Sequence, residues 1–398
     1  MRLVLAATIL AGPAFAQSEP TFTYGERNTD FIPAFEGQTR APIQASGYEM
    51  QTTVLAGGLE HPWGVAALPD GGYLVTERAG RLRHVSADGT LSDPISGVPE
   101  VLAQEQGGLL DVALSPGFAE DRTVFLTYAK PLEGGMSATA AARATLSDDM
   151  TALDAVEDVF VQDPPSPNPM HYGSRIVFDD EGHAYVTTGE HFTQEERVYA
   201  QDLDKTYGKV VRVGLDGSIP EGNPFAGQDG ALGSVWSLGH RNVQGAVVAP
   251  DGTLWTIEHG PQGGDELNRV EPGANYGWPV ISYGRNYDGS PVGSGDAKAE
   301  GMEQPVYFWD PVIAPGGMDL HEGEVFAEWN GDLLIGSLYP GGIVRVEIGE
   351  EGRVTAEERL MRDAGRVRTV HVLGDGSFVY LTDTADGELI HVTPKSSS

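Results

Sequence analysis

Apolar residues in this chain come in short blocks or in strict alternation, and each block is stopped by glycine, proline, aspartate or asparagine. That pattern predicts short β-strands joined by tight turns, because a helix would repeat its apolar residues three and four positions apart. A larger unit recurs. An apolar strand, a turn around Asp-Gly or a similar pair, and a second strand appear at 65–77 (VAALPDGGYLVTE), 111–128 (DVALSPGFAEDRTVFLTY) and 176–189 (IVFDDEGHAYVTTG). They appear again at 245–259 (GAVVAPDGTLWTIEH), 324–338 (EVFAEWNGDLLIGSL) and 370–383 (VHVLGDGSFVYLTD). Each copy has the character of the middle hairpin of a propeller blade. The spacing from Pro69 to Asp375 averages about 61 residues per unit, against ~40 to 50 in compact propeller repeats. Loops between blades are therefore enlarged, and loops on one face are where a propeller builds its site. The expectation is an all-β, six-bladed β-propeller spanning 51–394.

The ends read differently. Residues 1–16 join Met-Arg, an apolar run and Ala14-Phe15-Ala16, which matches a secretory leader with an A-x-A-like cleavage site and predicts a periplasmic or secreted protein. That run is too short to span a bilayer, and no later segment approaches ~18 uninterrupted apolar residues, so no membrane insertion is expected. Residues 17–50 are polar and proline-punctuated, an N-terminal extension expected to lie over the propeller surface, and 395–398 read as a flexible tail.

Composition narrows the partners. With 58 acidic and 25 basic residues the formal charge is −33, which repels phosphate backbones and excludes nucleic acid as a natural partner. Neutral substrates and cations fit such a surface. The chain has no cysteine, so neither a disulfide framework nor a thiolate metal site is available.

Against that acidic background, 239–279 stands out: GHRNVQG, then APDGTLWTIEHGPQGGDELN, then NYGWP. A guanidinium, an amide, a Gly-Pro turn and an acidic pair lie close together in sequence, a mixture suited to an anionic ligand beside a hard cation. Together with GGLLDVAL, HYGSRIVF and RVR, these motifs resemble, in order from about Leu59 to Pro394, the soluble pyrroloquinoline-quinone (PQQ) dependent sugar dehydrogenases of the glucose/sorbosone dehydrogenase family. The resemblance implies a six-bladed propeller with PQQ over its axial channel, a calcium ion against the cofactor, and an aldose oxidised above it.

It also implies roles, residue by residue. His171 of HYGSR matches the family's base, and imidazole is the side chain suited to take a proton near neutral pH. Arg241 matches the arginine that stabilises charge developing on the quinone, with Asn242 beside it on the cofactor; Val243 stands where proline is common. The carbonyls of Gly260 and Pro261 match the ligands of the PQQ calcium, and Glu266 with the carbonyl of Tyr276 a possible second, structural calcium. Arg366 and Arg368, two apart and so on one face if extended, match an R-x-R clamp for the PQQ carboxylates. Tyr339 departs from the pattern, standing where many relatives carry a cofactor lysine; a phenol donates a hydrogen bond but supplies no cation at neutral pH. Gln106 and Glu190 match positions near the sugar, and Trp309 is the candidate aromatic wall of its pocket. His61, His240 and His259 lack metal-ligand spacing and read as structural, His240 as a support for Arg241.

The implied reaction takes the proton from an aldose C1 hydroxyl onto His171, passes hydride to calcium-bound PQQ and yields a lactone, with an external acceptor such as a cytochrome, quinone or dye reoxidising the cofactor. A monomer or a homodimer is compatible with the sequence. Two rival classes remain: a calcium-dependent propeller lactonase, which has no evident use for a tricarboxylate clamp, and a non-enzymatic binding propeller, since fold alone does not fix function.

Overall fold

The computed structural model describes residues 22–395, so the leader at 1–16, the start of the 17–50 extension and 396–398 lie outside the described residues. The first strand is β1 (Met50–Leu59), followed by a three-stranded antiparallel sheet of β2 (Pro62–Ala67), β3 (Tyr73–Glu77) and β4 (Arg81–Val85). Four-stranded sheets then follow one another along the chain. They are β5 (Leu109–Leu114), β6 (Thr123–Leu132), β7 (Met136–Leu146) and β8 (Leu153–Val161); then β9 (Gly173–Phe178), β10 (His183–Thr188), β11 (Lys209–Gly214) and β12 (Val235–Leu238). Next come β13 (Val243–Val248), β14 (Leu254–Glu258), β15 (Asp265–Val270) and β16 (Tyr307–Trp309), then β17 (Pro315–Leu320), β18 (Leu333–Ser337), β19 (Ile343–Ile348) and β20 (Val354–Leu360). The last sheet combines β21 (Val367–Val372), β22 (Phe378–Thr382) and β23 (Gly387–Pro394) with β1, which pairs with β23 from Met50↔Pro394 to Leu59↔Gly387. This is a six-bladed β-propeller whose ring is closed by joining the two ends of the chain in one blade. The single α-helix among the described residues is the short α1 (Phe118–Asp121).

Strands β2, β5, β9, β13, β17 and β21 pack against one another around the axis. In five of them the first four residues are buried and the last two partly open. The open ends, among them Leu114, Phe178 and Val248, line a cavity at one mouth of the channel. The loops that enter these strands lie at the other mouth. The sequence repeats therefore mark the inner two strands of each blade, not the middle pair.

The unit read at 324–338 is displaced: Phe326 takes a left-handed φ of 57° and residues Ala327–Trp329 form a 3-10 turn. Its inner strand is β17, PGGMDL, which carries no apolar run because it crosses close to the next blade. A Cβ on Gly317 would lie 1.9 Å from Thr369 Oγ1, and one on Gly316 2.1 Å from the Arg368 carbonyl.

Between neighbouring blades the flanking faces supply the core. Trp255, Ile257, Leu267 and Tyr307 of one blade meet Met318, Leu333, Ile335 and Val344 of the next, each such side chain worth about 1.5–3 kcal/mol when fully buried. Trp309 belongs to this core, 1 % exposed, and its indole N–H donates to Glu357 Oε2 at 3.0 Å. It is not a pocket wall. An indole suits a dry inter-blade space that offers its N–H a partner, and that space competes with the sugar for such residues. The extension runs over the same two blades: Asn28 and Thr29 donate to Asp310, Gln38 to the Pro305 carbonyl, and Ser46 to Glu358.

Candidate functional site

Near the axis, Arg175 of β9 donates to Asp111 Oδ1 at 2.7 Å and to the Gln244 carbonyl at 3.1 and 3.0 Å, with its guanidinium 4.4 Å from the Trp63 ring centroid. Asp111, Arg175 and Gln244 come from three neighbouring inner strands, and Trp63 from a fourth. At the loop mouth of the channel lies a cavity of about 270 Å³ lined by Gln106, His171, Arg241, Asn242, Arg366 and Arg368, with Arg78, Gln244, His259 and Tyr287. Six of the expected residues thus converge from four blades.

His171 sits two residues before β9 with φ 50°, a left-handed turn that aims its ring at the cavity. Its Nδ1 lies 3.0 Å from Glu190 Oε1, and its backbone N–H donates to Gln106 Oε1 at 2.9 Å. Burial, reinforced by Arg241, pushes the imidazole well below its usual range, so it is neutral at pH 7. The carboxylate on Nδ1 selects the tautomer that donates to it. Nε2 then keeps its lone pair, with no protein partner among the described residues. Burial raises Glu190 to about 7 although Arg241 opposes the shift. Glu190 was expected near the sugar. Its buried carboxylate is spent on the histidine and on the Phe192 amide, 2.5 Å from Oε2.

Arg241 is placed by its neighbours on both sides. Its amide donates to Glu258 Oε2 at 2.6 Å, while His240 Nδ1 lies 2.9 Å from Glu258 Oε1, so His240 supports Arg241 through a shared carboxylate. The Arg241 guanidinium donates to the carbonyls of His259 and Gly260 at 3.1 and 2.9 Å and lies 5.2 Å from the Trp278 ring centroid. Asn242 Oδ1 accepts from the Gly173 amide at 3.0 Å and ties this loop to that of His171. Val243 is fully buried and starts β13 opposite Glu258, so the ladder fixes the loop without proline.

The Gly260-Pro261 turn is held by Asp265, which accepts the amides of Gly260, Ile313 and Ala314 at 2.8, 2.8 and 2.7 Å. One Gly260 carbonyl lone pair remains beside the bond to Arg241. Glu266 is partly buried and lies opposite Glu258 in the ladder. Burial, then the nearby Glu258, raise it well above the carboxylate range. Asn268 Oδ1 between them is buried without a partner, and Tyr276 stacks on His240 with ring centroids 4.7 Å apart. Two carboxylates and an orphaned carbonyl oxygen suit a cation.

Arg366 and Arg368 do meet on one face, where Asp383 Oδ2 accepts from both at 2.6 and 2.8 Å. Burial alone would raise Asp383, yet Arg368 and Arg366 hold it well below the carboxylate range. Sequence reasoning missed Asp383, although it ends the sixth repeat. Arg78 was missed too, and it adds a fourth guanidinium to the cavity wall. The Nε atoms of Arg78, Arg241 and Arg368 are buried without a hydrogen-bond partner among the described residues. Unsatisfied cationic donors converging in so acidic a chain fit a multiply charged planar anion. Tyr339, by contrast, is 65 % exposed and does not line the cavity; its neighbour Leu338 does, and the Leu338 carbonyl accepts from Arg366.

Comparison with known proteins decides the family. Residues 59–391 match the family model described as Glucose / Sorbosone dehydrogenase. The chain belongs to the glucose/sorbosone dehydrogenase family. It is similar to the aldose sugar dehydrogenase YliI of Escherichia coli strain K12, 42 % identical over 89 % of this chain and 95 % of that protein. The apo-form crystal structure of the soluble aldose sugar dehydrogenase from Escherichia coli superposes with a TM-score of 0.84 at 40 % identity, covering 87 % of this chain and all of that one. The PQQ-bound form of the aldose sugar dehydrogenase from Streptomyces coelicolor gives 0.70 at 27 % identity, again over 87 % of this chain and all of that one. Membership makes this protein an oxidoreductase acting on sugars.

Proposed function

We propose that this protein is a periplasmic PQQ-dependent dehydrogenase that oxidises aldoses at C1 to lactones and passes the electrons to an external acceptor. The observation that carries the proposal is the pairing, on one cavity, of a neutral histidine with a free Nε2 and four guanidiniums, three of which keep a buried Nε donor without a hydrogen-bond partner among the described residues. The first is a base for a hydroxyl proton, and the second suits the three carboxylates of PQQ. When bound, PQQ and its calcium supply the hydride acceptor and the Lewis acid that polarises it.

The residues divide the remaining work. His171 Nε2 takes the C1 hydroxyl proton, and Glu190 stabilises the imidazolium as it forms. Arg241, held by Glu258 and Trp278, would stabilise negative charge on the cofactor, with Asn242 beside it. Arg366 and Arg368, preset by Asp383, grip carboxylates, and Arg78 provides a further cation on a wall that Tyr339 does not reach. Gly260 and Pro261 offer carbonyls for calcium, while Glu258, Glu266 and Asn268 suit a second calcium close to Tyr276. Export rests on the leader at 1–16.

Reconstitution tests the reading. Apoprotein given PQQ and calcium should reduce a dye in the presence of glucose and other aldoses, and either one alone should not suffice. Lactone hydrolysis without PQQ, and no sugar-dependent dye reduction with it, would favour the lactonase instead.

A further inference from the structure

A second cavity of about 350 Å³ adjoins the first, and the two share Arg241 and Tyr287 on their walls. His171 does not line it, so a ring seated there is not the one that gives up a proton. Its character also differs. Where the inner cavity is lined with guanidiniums, this one presents two exposed aromatic rings, Phe192 at 38 % and Tyr287 at 64 %, with centroids 6.3 Å apart and planes inclined by 32°. Near them lie the side chains of Gln194, Glu195 and Asp288. Its own cation is spent: Arg197 donates to Asn286 Oδ1 at 2.9 Å and sits 5.6 Å from the Trp278 ring centroid. Flat apolar faces beside amide and carboxylate groups, with Arg241 confined to the wall shared with the inner cavity, are the recognition chemistry of a neutral polyhydroxylated ring.

The aromatic position is enforced by the backbone. His191 and Phe192 have φ of 61° and 74°, consecutive left-handed residues that are not glycine, a costly conformation retained where a site requires it. The Phe192 amide is held by Glu190 Oε2, whose other oxygen orients His171, and the Phe192 ring meets the His171 imidazole edge-to-face with centroids 5.1 Å apart. One carboxylate therefore sets both the base and the first wall of the neighbouring cavity.

We propose that this cavity is a second saccharide subsite, which holds the ring joined to the sugar being oxidised, so that reducing disaccharides and longer oligosaccharides are favoured over monosaccharides. The proposal rests on the aldose-oxidation reading, but its test need not. Methyl glycosides are blocked at C1 and cannot be oxidised there, so calorimetric titration of PQQ-loaded protein with methyl glucoside, methyl maltoside and methyl cellobioside reads binding alone. At least one disaccharide glycoside should bind about tenfold more tightly than methyl glucoside, the scale of an added aromatic contact. Tyr287→Ala, an exposed position with little bearing on folding, should erase that advantage, and Phe192→Leu should reduce it. Equal affinity for all three glycosides, or an advantage that survives Tyr287→Ala, overturns the proposal. Failure of glucose turnover with the disaccharide advantage intact would remove the dehydrogenase reading and leave the subsite standing.

Discussion

Replacing Glu190 by glutamine removes one charge and almost no volume, and the structure sets the size of the effect. As the sugar proton reaches His171 Nε2, an imidazolium forms with Nδ1 3.0 Å from Glu190 Oε1. Two full charges at that separation interact by about 5 kcal/mol at an effective dielectric near 20. Transfer is partial in the transition state, and Arg241 Nε, 3.9 Å from the same oxygen, offsets some of the attraction. About half survives, so kcat should fall by about 50- to 100-fold. KM and PQQ affinity should change little, since the cofactor clamp is elsewhere. The assay is dye reduction at saturating PQQ, with cofactor binding followed by fluorescence. The pH profile gives a second readout. Glu190, raised to about 7, supports the base only when ionised, so wild-type kcat should rise with an apparent pKa near 7 that belongs to the Glu190–His171 pair. Glutamine should abolish that limb. A kcat within threefold of wild type would refute the reasoning.

Three other outcomes follow from the same geometry. Arg368→Gln should weaken PQQ binding by about 10- to 100-fold, the scale of a lost hydrogen bond to a charged group, and more than Arg366→Gln does, because Arg368 is buried and Arg366 half-exposed; equal effects in fluorescence titration would contradict the assignment. Trp309→Phe should cost about 1–3 kcal/mol of stability through the lost bond to Glu357 and leave the sugar KM unchanged, and a raised KM at unaltered stability would return Trp309 to the pocket wall. With calcium chelated, stability should fall as pH rises above the ordinary carboxylate range: Glu266 has a folded pKa raised above its unfolded value, so its contribution is present at low pH and lost on ionisation. Calcium or Glu266→Gln should flatten that slope in thermal melts, and a flat profile in the chelated wild type would exclude the Glu258–Glu266 pair as a cation site.

The six-fold repeat was legible because each inner hairpin is an apolar run around a turn, buried by the blades on both sides. Where the inner strand reads PGGMDL the signal failed, since close approach to Arg368 and Thr369 replaces apolar side chains with glycine, and the repeat was placed one turn too late. Closure of the ring through β1 and β23 joins residues nearly the whole chain apart, which no local pattern reveals. In the site, His171, Arg241 and the R-x-R pair were legible because they stand in an ordered set of motifs that resembles the family; taken alone, each reads as an ordinary loop or surface residue. Asp383, Arg78 and Tyr287 stand in no such motif; each is an ordinary strand-end or loop residue until the propeller brings it to the axis. Trp309 shows the converse error, because an indole next to a loop reads the same whether it faces a ligand or the space between two blades.

The most direct test of the central claim is a single-turnover measurement in which glucose is mixed with PQQ-loaded protein in the absence of an electron acceptor and the cofactor's absorbance is followed. The account predicts rapid, stoichiometric loss of the oxidised-PQQ band in the wild type. In His171→Ala it predicts unchanged PQQ affinity and a loss of that band slower by several orders of magnitude. Reduction at a comparable rate in the variant, or none in the wild type, would contradict it.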